Sequence, residues 1–528
     1  MHFILTPLYF LFHVWAANAG EVDPLFSVIP VLVLLGVSFV LRLVAGLLLD
    51  KYAANVLITS FWWLFFTYGS LYSGIKDAVF WFYPKLEFQG EVAFDLPVVL
   101  LFLELGIFCM LFRLLRTKVK AEGNGHKTIV RVNSFLNGMT SFLVVIVLSS
   151  IISQILNSSR STGVGLPGTN GNGSVSVSTS VLPNIYHIIV DGYGREDVLF
   201  RYFGFDNSSF IRHLESNGFA VVRESWANYS ITQASLTSTL NLDYFEKIIN
   251  QFVNSRLDGL SVTRGFATNA IRNNRLVREI KAIGYHYLHI GSIWEATIRN
   301  PNADLEYGCS RFNLHNEFTR ALIARSWLAP FEHLGGASIA RCHQRMFSNL
   351  EEISRSHHHQ PYYVFAHVVL PHYPYVFNSD CSIKAQVEMS NAFSLRKELW
   401  NDSASYLAQL RCVNSMLTEA VNIIVRHDPD SWIVIHSDHG PDIPKLAEMT
   451  RISARLANFL AIRAPDGSQL NPDFHSPLGA WRKIVGLLTN ASMDGVERFF
   501  YIPDDESGSL KSWKEYTIEE LERGIKAK

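Results

Sequence analysis

Hydrophobic and polar positions follow two different rules on either side of residue 156. Before it, stretches near 27–49, 54–75, 94–116 and 133–156 are almost free of charge, and each is about long enough to cross a bilayer as a helix. A fifth stretch, 3–19, is shorter and has two readings. Its end, Ala17-Asn18-Ala19, resembles a signal-peptidase site, whereas its start carries His2 and neither Lys nor Arg, so an uncleaved first helix is the favoured reading. Both leave Gly20 on the same side. The pattern predicts a transmembrane bundle of about five helices over 1–156.

After residue 181 the apolar runs shorten. Ile185–Val190, Tyr285–Ile290, Tyr362–Val369 and 432–436 are strand-length and rich in β-branched and aromatic residues. Between them lie amphipathic, helix-length segments around 200–217, from about 270, and roughly 395–427. Strands alternating with helices predict an α/β domain with a mostly parallel sheet over 182–510, followed by a tail, 511–528. Between bundle and domain, residues 157–181 combine Gly163, Gly165, Gly168, Gly171 and Gly173 with alternating Ser and Val, the composition of a flexible tether.

Charge sets the orientation. Arg113, Arg116, Lys118, Lys120, Lys127 and Arg131 face a single Glu122 between the last two membrane segments, which makes that loop cytoplasmic. Arg42 and Lys51, two crossings earlier, agree. Lys76, Asp77 and Lys85 then fall in an outer loop, where Phe80-Trp81-Phe82-Tyr83 suits an interfacial belt. The last helix exits outward and delivers everything after 156 to the far side. A net charge of −1 gives no global field for nucleic acid, and no nucleic-acid motif is present. Cys109 lies in a membrane segment; Cys309, Cys342, Cys381 and Cys412 lie in the outer domain, where an oxidising compartment permits two disulfides in three pairings.

Candidate chemistry gathers at strand ends. Val190 runs into Asp191-Gly192, and Ile435 into His436-Ser437-Asp438-His439-Gly440. If the two ends are neighbours, Asp191, Asp438 and His439 offer one divalent metal two oxygens and a nitrogen with an open position. The hydroxyl-dense run Tyr229–Asn241 opens what reads as a helix, whose N-terminus suits a phosphate and whose Ser or Thr suits a metal-activated nucleophile. Ordinary N-capping is the alternative. Gly291–Thr297 follows a strand, so Trp294 and Arg299 are candidates for a pocket wall and a phosphate contact.

Ile188–Tyr193, Thr232-Gln233-Ala234-Ser235, Leu370-Pro371-His372-Tyr373-Pro374 and Ser437-Asp438-His439-Gly440, in this order and spacing, resemble the alkaline phosphatase and sulfatase superfamily. Within it the chain is most similar to lipoteichoic acid synthase-like membrane phosphoglycerol and phosphoethanolamine transferases. The resemblance spans about 184–500 and the bundle-plus-outer-domain layout. It implies Asp191, Asp438 and His439 as ligands of one Mn²⁺, Mg²⁺ or Zn²⁺, Thr232 as ligand and nucleophile, and His372 beside the transferred group. Ser235 stands three positions after Thr232, as in such members, and is carried over as a substrate-binding residue. Ser230 and Ser235 are fallback nucleophiles.

Departures narrow the reading. Thr232-Gln233-Ala234 offers neither the Cys or Ser that matures to formylglycine in sulfatases nor the Pro and Arg that usually follow it, which argues against that sulfatase route. Asp304 and His475 are the nearest candidates for a second metal's ligands, and nothing flanking them fits well. His357-His358-His359 reads as a solvated loop. The expected protein is a multi-pass enzyme of a bacterial cytoplasmic membrane with its catalytic domain outside. It moves a phospho-alcohol head group from a lipid donor to an envelope glycan or lipid acceptor through a phospho-threonine. A phosphodiesterase of the same superfamily, and a non-catalytic envelope scaffold, are the competing readings.

Overall fold

The computed structural model describes the chain apart from 19–24, 83–95, 121–123, 163–181, 254–259, 310–315, 357–359, 386, 388–399, 466–472, 494, 503–512 and 528. Most of the tether, the triple-histidine run and the aromatic side chains at 80–83 therefore lie outside the described residues. Two compact units result: Met1–Asn157 with Leu314–Leu334, and Ser158–Asn313 with Gly335–Lys528.

Among the described residues five helices precede residue 163: α1 (His2–Ala17), α2 (Leu25–Gly46), α3 (Lys51–Phe82), α4 (Leu96–Lys120) and α5 (Asn124–Thr162), the last of which runs into the stretch expected to be a tether from 157. By length and composition, three described helices are apolar enough to cross a membrane, over Phe26–Gly46, Val98–Val119 and Gly125–Ser153. The number thus differs from the expected five. The sixteen residues of α1 are short, and α3 is long but diluted by Trp62, Trp63, Tyr68, Tyr72 and several hydroxyls. Leu11, Val14, Leu57, Trp62 and Phe66 pack inward, while Leu43, Phe102 and Phe135 are 73%, 68% and 69% exposed. So many outward apolar side chains suit lipid, not water.

The second unit is built on a seven-stranded sheet in the order β2-β7-β6-β1-β5-β3-β4. The strands are β1 (Ile185–Val190), β2 (Phe219–Val221), β3 (His286–Ile290), β4 (Leu305–Tyr307), β5 (Tyr362–Val368), β6 (Trp432–His436) and β7 (Leu460–Arg463). β1 lies between β5 and β6 and runs parallel to both; β3 is parallel to β5 and β4. The antiparallel exception is β7, against β6 and β2. Helices cover both faces, so every residue of β1, β5 and β6 is buried, and continuous apolar runs are the consequence. The polar exceptions are histidines. His187, His289, His367 and His436 share the strand parity of Ile185, Tyr287, Phe365 and Val434, which lie in one buried cluster.

Boundaries moved for local reasons. The helix expected near 200–217 is two, Glu196–Phe203 and Ser208–Ser216, because Gly204 adopts φ 63° and ends the first. Asp402 caps the helix Ser403–His427 by accepting from the Ser405 N–H. The stretch read as a tail is ordered structure: Lys514–Tyr516 (β9) pairs with Phe499–Tyr501 (β8), and the helix Ile518–Lys526 buries Leu521 and Ile525. The four outer cysteines form Cys309–Cys342 and Cys381–Cys412, one of the three pairings left open by the sequence.

Candidate metal centre and active site

The register of β1 on β6 sets Ile189 opposite His436, so the two strands end side by side at Asp191 and Asp438. One ligand atom from each of Asp191, Asp438 and His439 lies within 4.8 Å of the others. His439 Nε2 is 3.2 Å from Asp438 Oδ2 and 3.7 Å from Asp191 Oδ1. Among the described residues this is the one such group of three. Its glycines are required by packing. Gly192 has φ 72° and a Cβ there would meet the Trp400 ring at 2.9 Å; a Cβ on Gly440 would stand 2.3 Å from the Ala454 carbonyl. The close approach at Gly440, not a left-handed turn, excludes a side chain.

Burial makes this group electrostatically expensive without a cation. The Asp438 carboxyl is pushed up to about 7, first by burial and then by Asp191, against the Thr232 hydroxyl and the Gly192 N–H, which hold it down. His439 is held well below the usual imidazole range by burial and by Arg455, so it is neutral at pH 7. Its Nδ1 faces the Gly440 carbonyl at 3.0 Å and donates to it, which leaves the Nε2 lone pair toward the carboxylates. Asp438 Oδ2 is fully buried and has no hydrogen-bond partner among the described residues. Two carboxylates, one neutral imidazole and an orphaned buried oxygen are the donor set a divalent cation satisfies.

Of the hydroxyls, only Thr232 points at this group without a structural task of its own in the bonds found here. It is the first residue of the helix Thr232–Asn241, is half-buried, and its Oγ1 is 3.3 Å from His439 Nε2. Ile231 is the N-cap, so capping does not occupy the hydroxyl. Ser230 is held between the Ile502 carbonyl and N–H, at 3.0 and 2.8 Å. Ser235 donates to the Asp438 carbonyl at 2.8 Å, which ties it to the shape of the strand end. His372 sits on the loop after β5; its N–H donates to the Asp191 carbonyl at 3.0 Å and its ring is 6.5 Å from that of His439. Trp294 stands edge-on to His367 at 5.4 Å, and Arg299 is half-buried farther along the same loop. Asp304 is instead bonded to Lys281 and the Tyr287 N–H, and His475 pairs through its backbone with Glu497 and Trp226.

Three neighbours were not foreseen. Arg455 donates to His439 Nε2 at 3.1 Å, to the Ser230 carbonyl and to the Gly440 carbonyl. Trp400 stacks edge-on against His372 at 5.1 Å. His367, fully buried on β5, lies 3.8 Å from Asp191 Oδ2 through Nε2, which has no hydrogen-bond partner. Its Nδ1 is 2.9 Å from Thr297 Oγ1. The sequence signal for His367 was a histidine interrupting an apolar strand; nothing distinguished Arg455 from any helix-surface arginine.

The sequence matches no protein-family model and no curated protein. Solved structures do resemble it. The C-terminal periplasmic domain of EptC from Escherichia coli aligns over 64% of this chain and 93% of its own, with 11% identity and a TM-score of 0.41. The integral membrane lipooligosaccharide phosphoethanolamine transferase A from Neisseria meningitidis aligns over 93% of this chain and 96% of its own, with 10% identity and a TM-score of 0.39. A putative sulfatase from Bacteroides fragilis covers 62% and 82%, with 11% identity and a TM-score of 0.34. Identities this low carry no residue role across, so the roles below rest on geometry.

Proposed function

We propose that the chain is a membrane-anchored, metal-dependent transferase of phospho-alcohol head groups. One observation carries it: the half-buried Thr232 hydroxyl lies 3.3 Å from His439 Nε2, beside two buried carboxylates. Asp191, Asp438 and His439, with Thr232 itself, would hold one divalent ion. Such an ion lowers the pKa of a coordinated hydroxyl and neutralises charge developing on a phosphoryl oxygen.

The chain's own residues do the rest. With its proton already released to solvent, Thr232 Oγ1 would form a bond to the phosphorus of a lipid head group as the bond from phosphorus to the lipid alcohol breaks, and the same deprotonated oxygen would leave in the second displacement. His372, on the loop beside Asp191, hands the departing oxygen a proton from Nε2. In the second displacement the acceptor hydroxyl gives its proton back to His372 Nε2 and displaces Thr232 from the phosphorus. The Tyr373 carbonyl, 2.7 Å from His372 Nδ1, fixes the ring so that Nε2 is the exchanging nitrogen. Arg455, already directed at His439, is a positive group for the transferred phosphate.

A lipid donor explains the apolar bundle, since the site is then confined to the bilayer surface. The basic loop over 113–131 favours a bacterial cytoplasmic membrane with the catalytic domain outside and an envelope glycan or lipid as acceptor. The test is release of diacylglycerol from phospholipid vesicles by full-length protein with Mn²⁺ or Zn²⁺. Wild type should turn over and Thr232→Ala should not, with unchanged melting. Equal release by both variants, or release by neither, would sink the reading.

A further inference from the structure

The chain makes an excursion that its sequence gives no reason to expect. Cys309 and Cys342, both in the second unit, are joined by a disulfide, yet Leu314–Leu334 between them belongs to the first unit. This arm comprises the helix Glu317–Ala324 and a 3-10 turn from Ala329. Asn316 caps the helix by accepting from the Thr319 N–H at 2.8 Å.

Four observations show that the arm fits a built seat within that unit. Phe318 and Leu322 are buried in the same apolar cluster as Leu11, Leu57, Trp62 and Phe66 of the bundle. The Gly69 N–H donates to the Arg325 carbonyl at 3.2 Å, and the Trp327 N–H donates to the Phe65 carbonyl at 3.1 Å, so two polar groups four residues apart on α3 are both met by arm backbone. Gly69 has no side chain where one would be impossible: a Cβ would stand 2.3 Å from the Ala324 carbonyl. Finally, the Trp327 indole N–H donates to Glu104 Oε2 on α4, while its ring packs edge-on at 5.3 Å against Phe61. Glu104 is 2% exposed and its other oxygen has no hydrogen-bond partner among the described residues, so Trp327 supplies a donor to a buried carboxylate in an apolar helix. Burying such a group without a donor is costly.

Helix geometry places the seat near the outer face. Gly69 is eighteen residues after Lys51, about 27 Å along α3 at ~1.5 Å per residue, against a hydrocarbon core of about 30 Å. A tryptophan bonding at that depth suits the interfacial belt.

The geometry points to a second membrane attachment: the arm is a built-in plug whose partner is the chain's own α3–α4 surface, and it holds the outer domain at the membrane independently of the tether. This rests on the membrane reading of the bundle and not on the chemistry of Thr232. The test places a specific protease site in 163–181 of the full-length protein, cuts it in isolated membranes, washes with salt and then extracts in mild detergent. The C-terminal fragment should stay with the membranes and co-purify with the N-terminal fragment. Trp327→Ala, which leaves the bundle sequence intact, should lower co-purification by more than about tenfold, as for an anchoring aromatic. Gly69→Leu should do the same from the other side. Release of the wild-type fragment into the wash overturns the proposal, as does retention that Trp327→Ala leaves unchanged. A fragment that stays with lipid but parts from the bundle in detergent also overturns it, because its partner is then the bilayer.

Discussion

Acidification should unfold the outer domain because six histidines are buried and neutral. His187, His289, His343, His367, His436 and His439 are all driven below the ordinary imidazole value, first by burial; His289 and His436 fall to about 4, and His343 and His367 to about 3. For each, the unfolded chain binds a proton below pH 6.5 that the folded chain refuses, so stability falls with falling pH. Between pH 7 and 5.5 this costs a little over ~1 kcal/mol per histidine, or about 7 kcal/mol for six. Asp438 works in the opposite direction. Its folded value of about 7 exceeds the unfolded one, so the metal-free protein gains about 2 kcal/mol over the same interval. The net loss, about 5 kcal/mol, is comparable with the whole stability of an ordinary domain. Urea unfolding of metal-free, full-length protein in detergent, followed by tryptophan fluorescence at pH 7.0 and 5.5, reads it directly. His343 supplies the control, since neither of its ring nitrogens has a hydrogen-bond partner among the described residues. His343→Leu should stabilise the protein at pH 7 by about 1–3 kcal/mol and remove about one sixth of the histidine pH dependence. Equal stability at both pH values, or a destabilised His343→Leu, would refute the assignment of these histidines as buried and neutral.

Three further outcomes follow from the site. If Asp191 holds the ion and His367 Nε2, 3.8 Å from Asp191 Oδ2, closes onto that carboxylate when a cation is bound, His367→Leu should weaken Zn²⁺ or Mn²⁺ binding by about 10–100-fold in a chelator competition, with His367→Gln retaining most of the affinity. Ser235→Ala should cost about 1 kcal/mol in urea unfolding and leave turnover detectable, since that hydroxyl donates to the Asp438 carbonyl. Gly440→Ala should impair metal binding, read by the same competition, because the new Cβ meets the Ala454 and Ala457 carbonyls at 2.3 and 2.6 Å and must shift the strand end that carries Asp438 and His439.

The parts of this fold legible in the sequence were those with a period or a sharp boundary. Apolar stretches announced the bundle, and Ile185–Val190 and Trp432–His436 announced central strands because burial on both faces leaves no alternation. The pair Asp191 and Asp438 was legible because each follows such a strand, although only the register of β1 on β6 makes them neighbours. Short strands were not: Phe219–Val221 and Leu305–Tyr307 are three residues each, too short to show a period, and the first is defined by Ala461–Arg463 far along the chain. The resemblance put Thr232 ahead of Ser230 and Ser235, but the residue types alone did not, because what distinguishes the two serines is the Ile502 backbone and the Asp438 carbonyl that they bond. The arm at 314–334 has the composition of an ordinary amphipathic segment, and its partners Phe65, Gly69 and Glu104 lie more than two hundred residues earlier.

The central claim is that Thr232 carries the transferred group. Full-length protein mixed with phospholipid vesicles and Mn²⁺, quenched in acid and digested, gives the peptide spanning Thr232 for mass spectrometry. The account predicts a phospho-alcohol adduct on the Thr232 oxygen, absent from Thr232→Ala. An unmodified Thr232 in protein that is turning over, or an adduct on Ser230 or Ser235 instead, would contradict it.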